Sequence, residues 1–241
     1  MVENNNNRQM LKVTRLQKSF GDREILKDVS FSVKAGETLG IIGPSGCGKS
    51  TILKLLCNLI DPDGGEIYKY SDDISLVFQG SALLNSLTVK ENLALALRNK
   101  NYTKKEQDEI IQDKLNLVGL GKFANSYPAQ LSGGQQKRTS FARAIVIDPK
   151  IIFYDEPTTG LDPILSTVIE DYILTLSDKL HAASIVVTHQ QSTWSRTTDR
   201  LILLHAGTIK WEGSPAEALK SEDPYMKQFA MCSRDGPMQV G

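Results

Sequence analysis

The chain has 241 residues, enough for one large domain or a core plus an inserted subdomain, but not for two full domains of that size. Its 28 Lys+Arg balance 28 Asp+Glu for a net charge of +0, so no global cationic field exists to gather nucleic acid or an anionic membrane surface. Apolar residues at 40% and charged residues at 23% describe a folded protein, and no run approaches the roughly eighteen uninterrupted apolar residues of a spanning helix.

Met1-Val2-Glu3 and the Asn4–Asn7 run contain no basic segment followed by an apolar core, which predicts no secretory signal and a cytosolic chain. Residues 1–10 are expected to be a disordered tail, as is the end of the chain from Ser233 to Gly241. Cys47, Cys57 and Cys232 are odd in number and spaced for neither a disulfide framework nor a zinc cluster, which fits a reducing compartment.

In chain order, Leu11–Leu16, Ile25–Val33 and Glu37–Ile42 read as strands. A glycine-rich turn, Gly43 to Gly48, follows, and Ser50–Ile60 places Ile52, Leu55, Leu56 and Leu59 at helical spacing. Residues 81–130 read as an inserted helical unit. Thr88 and Glu91 form one capping box and Thr103 and Glu106 another, the second before a helix running toward Val118 that Gly119 stops. A helix from Ser132 to about Ile147 ends before Pro149, and the apolar strand Ile151–Tyr154 follows. The next helix carries Ile164, Leu165, Val168, Ile169, Tyr172, Ile173 and Leu176 on one predicted apolar face, and the strand Ser184–Thr188 comes after it. Arg200–His205 and Thr208–Glu212 read as a hairpin turning at Gly207. Short apolar strands alternating with helices predict an α/β fold with a parallel sheet covered on both faces. The core would take residues 11–80 and 131–212, with an antiparallel β subdomain, and residues 213–241 would form a C-terminal extension.

Gly43-Pro44-Ser45-Gly46-Cys47-Gly48-Lys49-Ser50 fits the phosphate-loop pattern in the context that pattern requires, after a strand and before a helix. Glycines let backbone N–H groups turn toward a phosphate, and the helix start adds its positive dipole end. Lys49 would reach the β and γ phosphates, and the Ser50 hydroxyl would ligate Mg²⁺. Asp155 and Glu156 end the strand Ile151–Tyr154, where one carboxylate can hold the metal's water shell and the other orient or deprotonate the attacking water. Leu131-Ser132-Gly133-Gly134-Gln135 opens a helix with Ser132 as N-cap and forms a second anion cradle.

That five-residue segment resembles the signature sequence of ATP-binding-cassette (ABC) ATPases, and the remaining motifs then match that family in order from about Leu11 to Glu212. The resemblance implies a P-loop NTPase fold with ATP and Mg²⁺ as ligands. It assigns Gly43–Ser50 and Thr51 to the Walker A loop, Phe20 to adenine stacking, Gln79 to the Q-loop and Mg²⁺, and Asp155 to Mg²⁺. Glu156, His189 and Lys49 become the catalytic set, Leu131–Gln135 the signature acting in trans, and Asp162 the dimer-communicating D-loop residue. His181 and His205 fall outside these motifs and read as structural, and Cys47 reads as a packing residue. Gln190 follows His189 where the family commonly has an acid, and the stretch between Gly65 and Gln79 is short, so a trimmed β subdomain is expected.

The family works as a head-to-tail homodimer, each nucleotide lying between one chain's Walker A loop and the other's signature. Residues 79–92 would meet whatever is moved. Phe78 to Asn92 and the tail from Glu212 to Phe229 resemble the ATPases of Mla-type, Mce-associated phospholipid transporters. This implies an integral-membrane permease dimer, a periplasmic lipid-binding Mce-type protein, a small cytosolic regulator and a position on the cytoplasmic face of the inner membrane. An importer ATPase for a small solute, or a non-transport ABC ATPase tethering or regulating a membrane complex, remains an alternative. A DNA- or ribosome-acting member would need a long coiled coil or a second cassette, and the sequence has neither.

Overall fold

The computed structural model describes residues 8–239. Nine strands form one sheet in the order β4-β1-β2-β9-β8-β3-β7-β6-β5. At one end the antiparallel wing comprises β1 (Gln9–Phe20), β2 (Arg23–Lys34) and β4 (Gly64–Lys69). At the other, β8 (Arg200–His205), β3 (Thr38–Ile42), β7 (Ala183–Val187), β6 (Ile151–Asp155) and β5 (Ile74–Val77) run parallel. The antiparallel strand β9 (Thr208–Gly213) joins the two halves through β8 and a single parallel pairing, Asp28 with Thr208. One strand, β4, is all that lies between the first helix and β5, matching the short stretch in the sequence.

The parallel strands read as continuous apolar runs because both faces are covered. In β6, Ile151 and Phe153 point into the core beneath α1 (Lys49–Leu56), whereas Ile152 and Tyr154 point to α4 (Gly133–Ile145) and α5 (Pro163–Leu180). This two-residue alternation repeats in β8, where Ile202 and Leu204 join the first core. Its Leu201 and Leu203 pack under α6 (Gln191–Thr197), α7 (Pro215–Ala218) and α8 (Pro224–Ala230). A separate core around Val89, Leu93, Ile111 and Leu115 joins α2 (Val89–Ala94) and α3 (Lys104–Leu117) to α4. Among the described residues no helix is long and apolar enough to cross a membrane.

Both predicted capping boxes form, with Thr88 and Thr103 accepting from the amides of Glu91 and Glu106. Three local readings fail. Helix α1 ends at Leu56, short of Ile60, because Asn58 turns left-handed (φ 54) and the Leu59 amide donates back to the Lys54 carbonyl at 2.9 Å, leaving Leu59 exposed. On α5 the buried positions are Ser166, Ile169, Glu170, Ile173 and Leu176, while Ile164 and Leu165, expected inside, are exposed. The tails are also more ordered than expected. Gln9 and Met10 open β1, with Met10 buried, and the Arg8 guanidinium just before it lies 3.3 Å from the Tyr70 ring centroid. The Gln228 carboxamide pairs with the Met238 amide and carbonyl at 2.7 and 2.9 Å, fixing the segment after Ser233. Residues 1–7 and 240–241 of those two disorder expectations lie outside the described residues.

Candidate nucleotide site

Four neighbouring parallel strands, β3, β7, β6 and β5, present their C-terminal ends on one edge of the sheet, the usual place for a ligand in an open α/β sheet. β3 delivers the loop beginning at Gly43, β7 leads to Thr188 and His189, β6 ends in Asp155 before Glu156, and β5 leads to Phe78 and Gln79. A cleft of about 360 Å³ lies there, lined by Phe20, Ser45, Gly46, Gly48, Lys49, Ser50, Thr51, Gln79, Glu156 and His189. Residues far apart in sequence meet because the strands that carry them are adjacent.

The loop geometry depends on glycine at two places. Gly43 adopts φ 148, and a Cβ there would stand 2.2 Å from the Leu204 carbonyl oxygen. Gly48 adopts φ 110 as the N-cap of α1, where no side chain caps the helix. Among the described residues no carbonyl or side chain accepts from the amides of Gly46, Gly48, Ser50 or Thr51, so these donors face the cleft side of a helix start. The buried Lys49 ammonium donates to the carbonyls of Gly43 and Pro44 at 2.8 and 3.0 Å and, among the described residues, is in no ion pair, its charge reaching Asp155 only through space. Amides, ammonium and helix dipole all call for a polyanion.

The residues also fit a hard cation. Ser50 Oγ donates to Asp155 Oδ1 at 3.0 Å, and Gln79 borders the same cleft, an all-oxygen set of the kind Mg²⁺ takes together with phosphate oxygens. Burial pushes the Asp155 carboxyl above its ordinary range, the Ser50 hydroxyl pulls it back, and the neighbouring Glu156 pushes it up again. Beside it, Glu156 is buried and takes a left-handed conformation (φ 48) that a non-glycine residue adopts only when its surroundings hold it. Its amide donates to the Val187 carbonyl at 2.9 Å. Glu156 Oε1 lies 2.8 Å from His189 Nδ1, and its Oε2 accepts from Thr159 Oγ1 at 3.0 Å. A carboxylate oriented from both sides at the cleft wall can align and deprotonate a water.

Other expected residues lie elsewhere. Cys47 packs against the main core and, with Pro44, borders a neighbouring cavity of about 730 Å³ that His205 and the C-terminal segment also line, and burial raises its thiol pKa. None of Leu131–Gln135 lines the cleft of its own chain. Ser132 is exposed as the N-cap of α4, paired reciprocally with Gln135, and Gly134 is buried where a Cβ would come within 3.2 Å of Leu165. Asp162 caps α5, accepting from the amides of Ile164 and Leu165 at 2.9 and 3.0 Å, and also lies outside the cleft. Ile164, 79% exposed, leaves an apolar side chain on that same surface.

Sequence reasoning missed several residues. Arg23 pairs with Phe20 across the turn into β2 and lines the cleft beside it, a placement the short Gly21-Asp22 turn signals. No sequence pattern distinguishes Thr159, a threonine two residues after Pro157. Buried Lys137 donates to the Gln79 carbonyl, and Arg143 donates to the carbonyls of Ala82 and Ser81 at 2.7 and 3.3 Å, so α4 holds the segment after β5 by its backbone. These cations bond backbone oxygen, and no spacing in the sequence reports that.

A family model described as "ABC transporter" matches residues 26–159. The chain is 44% identical to the Arabidopsis thaliana protein TRIGALACTOSYLDIACYLGLYCEROL 3, chloroplastic, over 92% of this chain and 73% of that protein. It is 37% identical to a sulfate/thiosulfate import ATP-binding protein of Cucumis sativus, over 86% of this chain and 63% of the relative. Identity to a probable ribonucleotide transport ATP-binding protein of Mycobacterium leprae is 35%, over 95% of this chain and 70% of the relative. Among solved structures, cbiO1 of Clostridium perfringens, part of an ABC transporter complex, matches with a TM-score of 0.81 at 26% identity, covering 92% and 95% of the two chains. An ATP-binding cassette solved as a dimer in a post-hydrolysis state with ADP and Pi matches at 0.76 and 33%, covering 86% and 99%.

Proposed function

The chain belongs to the ABC transporter family, as an ATP-hydrolysing subunit, and we propose that it powers phospholipid movement in a Mla- or Mce-type membrane complex. The observation that carries the lipid reading is the 44% identity, across 92% of the chain, to a relative named for a glycerolipid, above the 37% shared with sulfate import proteins. ABC ATPases dimerise and work with membrane permease components. Here the permease partner is a dimer, with a periplasmic lipid-binding Mce-type protein and a small cytosolic regulator, on the cytoplasmic face of the inner membrane.

The site supports the following division of labour. Phe20 stacks on adenine, Lys49 and the loop amides from Gly46 to Thr51 bind the phosphates, and Ser50, Gln79 and Asp155 hold Mg²⁺. Mg²⁺ bound there would neutralise charge developing between the β and γ phosphates. Glu156 takes the proton of the attacking water while His189 and Thr159 hold its two oxygens in place. Exposed Ser132 and Gly133, with the buried Gly134 behind them, are remote from their own cleft and serve the nucleotide of a second copy, with Asp162 and the exposed Ile164 at the same junction. Exposed Phe78 and Leu84 flank the segment after β5, an apolar surface suited to a permease helix.

The test is a membrane-reconstituted complex assayed for transfer of fluorescent phospholipid and, in parallel, for sulfate uptake. ATP-dependent lipid transfer that Glu156→Gln abolishes supports the proposal. Sulfate uptake without lipid transfer, or undiminished transfer by Lys49→Ala, refutes it.

A further inference from the structure

Behind the Glu156–His189 pair lies a buried polar chain that none of these roles uses. Glu170 stands midway along α5 and is only 1% exposed, an unusual place for a carboxylate. Its Oε1 accepts from Thr193 Oγ1 at 3.0 Å, and its Oε2 lies 3.3 Å from an Arg196 guanidinium nitrogen. The hydroxyls of Thr193 and Thr158, both fully buried, are 2.7 Å apart, and Thr158 Oγ1 donates to the Gln190 carboxamide oxygen Oε1 at 2.5 Å.

The two ends of this chain sit on the two loops that matter. Thr158 follows Glu156 by two residues, and Gln190 is the neighbour of His189. A hydroxyl has one proton to give. Glu170 can only accept, so it takes the Thr193 proton, and the single Thr158 proton is shared between the Gln190 Oε1 and Thr193 oxygens.

We infer that Glu170 is a positioning residue for ATP hydrolysis, acting through Thr193 and Thr158 to hold the loops that carry Glu156 and His189. The inference rests on the reading that this pair performs hydrolysis. Because Asp162 caps α5, the same buried line ties the helix proposed to face the second copy to the water-activating pair.

The test compares Thr193→Val, which keeps the shape and removes the hydroxyl, with Thr193→Ser, which keeps the hydroxyl, and adds Glu170→Gln. Each purified chain is assayed for kcat and KM for ATP with Mg²⁺, for melting temperature, and for the imidazole nitrogen resonance of His189, assignable because the chain has only three histidines. Thr193→Val and Glu170→Gln are expected to lower kcat about tenfold, with KM within about twofold, since a misplaced catalytic group costs rate more than binding. Both are expected to shift the His189 resonance in the nucleotide-free protein, while Thr193→Ser retains the wild-type values. Wild-type kcat with an unmoved resonance in Thr193→Val would overturn the inference, as would a shared fall in melting temperature with kcat unchanged. Normal turnover in Glu156→Gln would instead sink the underlying reading, so the two failures are distinguishable.

Discussion

Glu156→Gln removes the proposed base with the least structural disturbance. The carboxylate is held on one side by His189 Nδ1 at 2.8 Å and on the other by Thr159 Oγ1 at 3.0 Å, and a carboxamide of the same shape can keep a hydrogen bond to each. The backbone at φ 48 is equally available to glutamine. What is lost is the ability to take a proton. A positioned general base contributes about 10²–10⁴ in rate, which is about 2.7–5.4 kcal/mol of barrier. Phosphate release by the variant is therefore expected to fall by at least a hundredfold on that scale. Binding of a fluorescent ATP analogue is expected to stay within about threefold, because Lys49 and the loop amides are untouched. The nucleotide then persists, and gel filtration with ATP is expected to show a stable dimer. Turnover within about threefold of wild type would remove Glu156 from the role and the proton-transfer argument with it.

Two further outcomes follow from the loop and the cysteines. Gly43→Ala forces a Cβ to within 2.2 Å of the Leu204 carbonyl at a φ of 148. Strain of about 3 kcal/mol is expected, lowering the melting temperature by about 6–12 °C in a domain of this size. An unchanged melting curve by calorimetry would contradict the packing described. With a thiol reagent at pH 8, exposed Cys232 is expected to react first. Burial pushes the Cys57 thiol up to about 11, so only on the order of a thousandth of it is thiolate at that pH. Its reaction is expected to accelerate as pH rises toward that value, and equal rates for Cys57 and Cys232 would argue against its burial.

What the sequence made legible is what short-range chemistry determines. The phosphate loop shows itself because glycine spacing and a helix start suffice to build it, and the capping boxes at Thr88 and Thr103 and the N-cap at Ser132 each close within four residues. Apolar strands such as Ile151–Asp155 were readable because both faces are buried. Long-range contacts were not. Burial of Glu170 in place of Leu165 depends on Thr193 and Arg196 from another helix. Lys137 and Arg143 act on backbone oxygen some 60 residues away, where no side-chain pattern marks the partner. The end of α1 turned on Asn58 accepting a left-handed backbone, which residue type alone permits but does not require. The docking of the C-terminal segment rests on one glutamine reaching Met238.

The central claim is that a working site needs one chain's Lys49 and another chain's Ser132, and mixing two inactive variants tests it most directly. Lys49→Ala lacks a competent phosphate loop and Ser132→Arg lacks a competent signature, so each alone is expected to be inactive. In a one-to-one mixture about half the dimers are mixed, and each mixed dimer holds one intact site, so about a quarter of wild-type sites return. ATP hydrolysis reappearing on mixing is the predicted result. Two variants that stay as inactive together as apart would show that each site is completed within one chain, and would contradict the account.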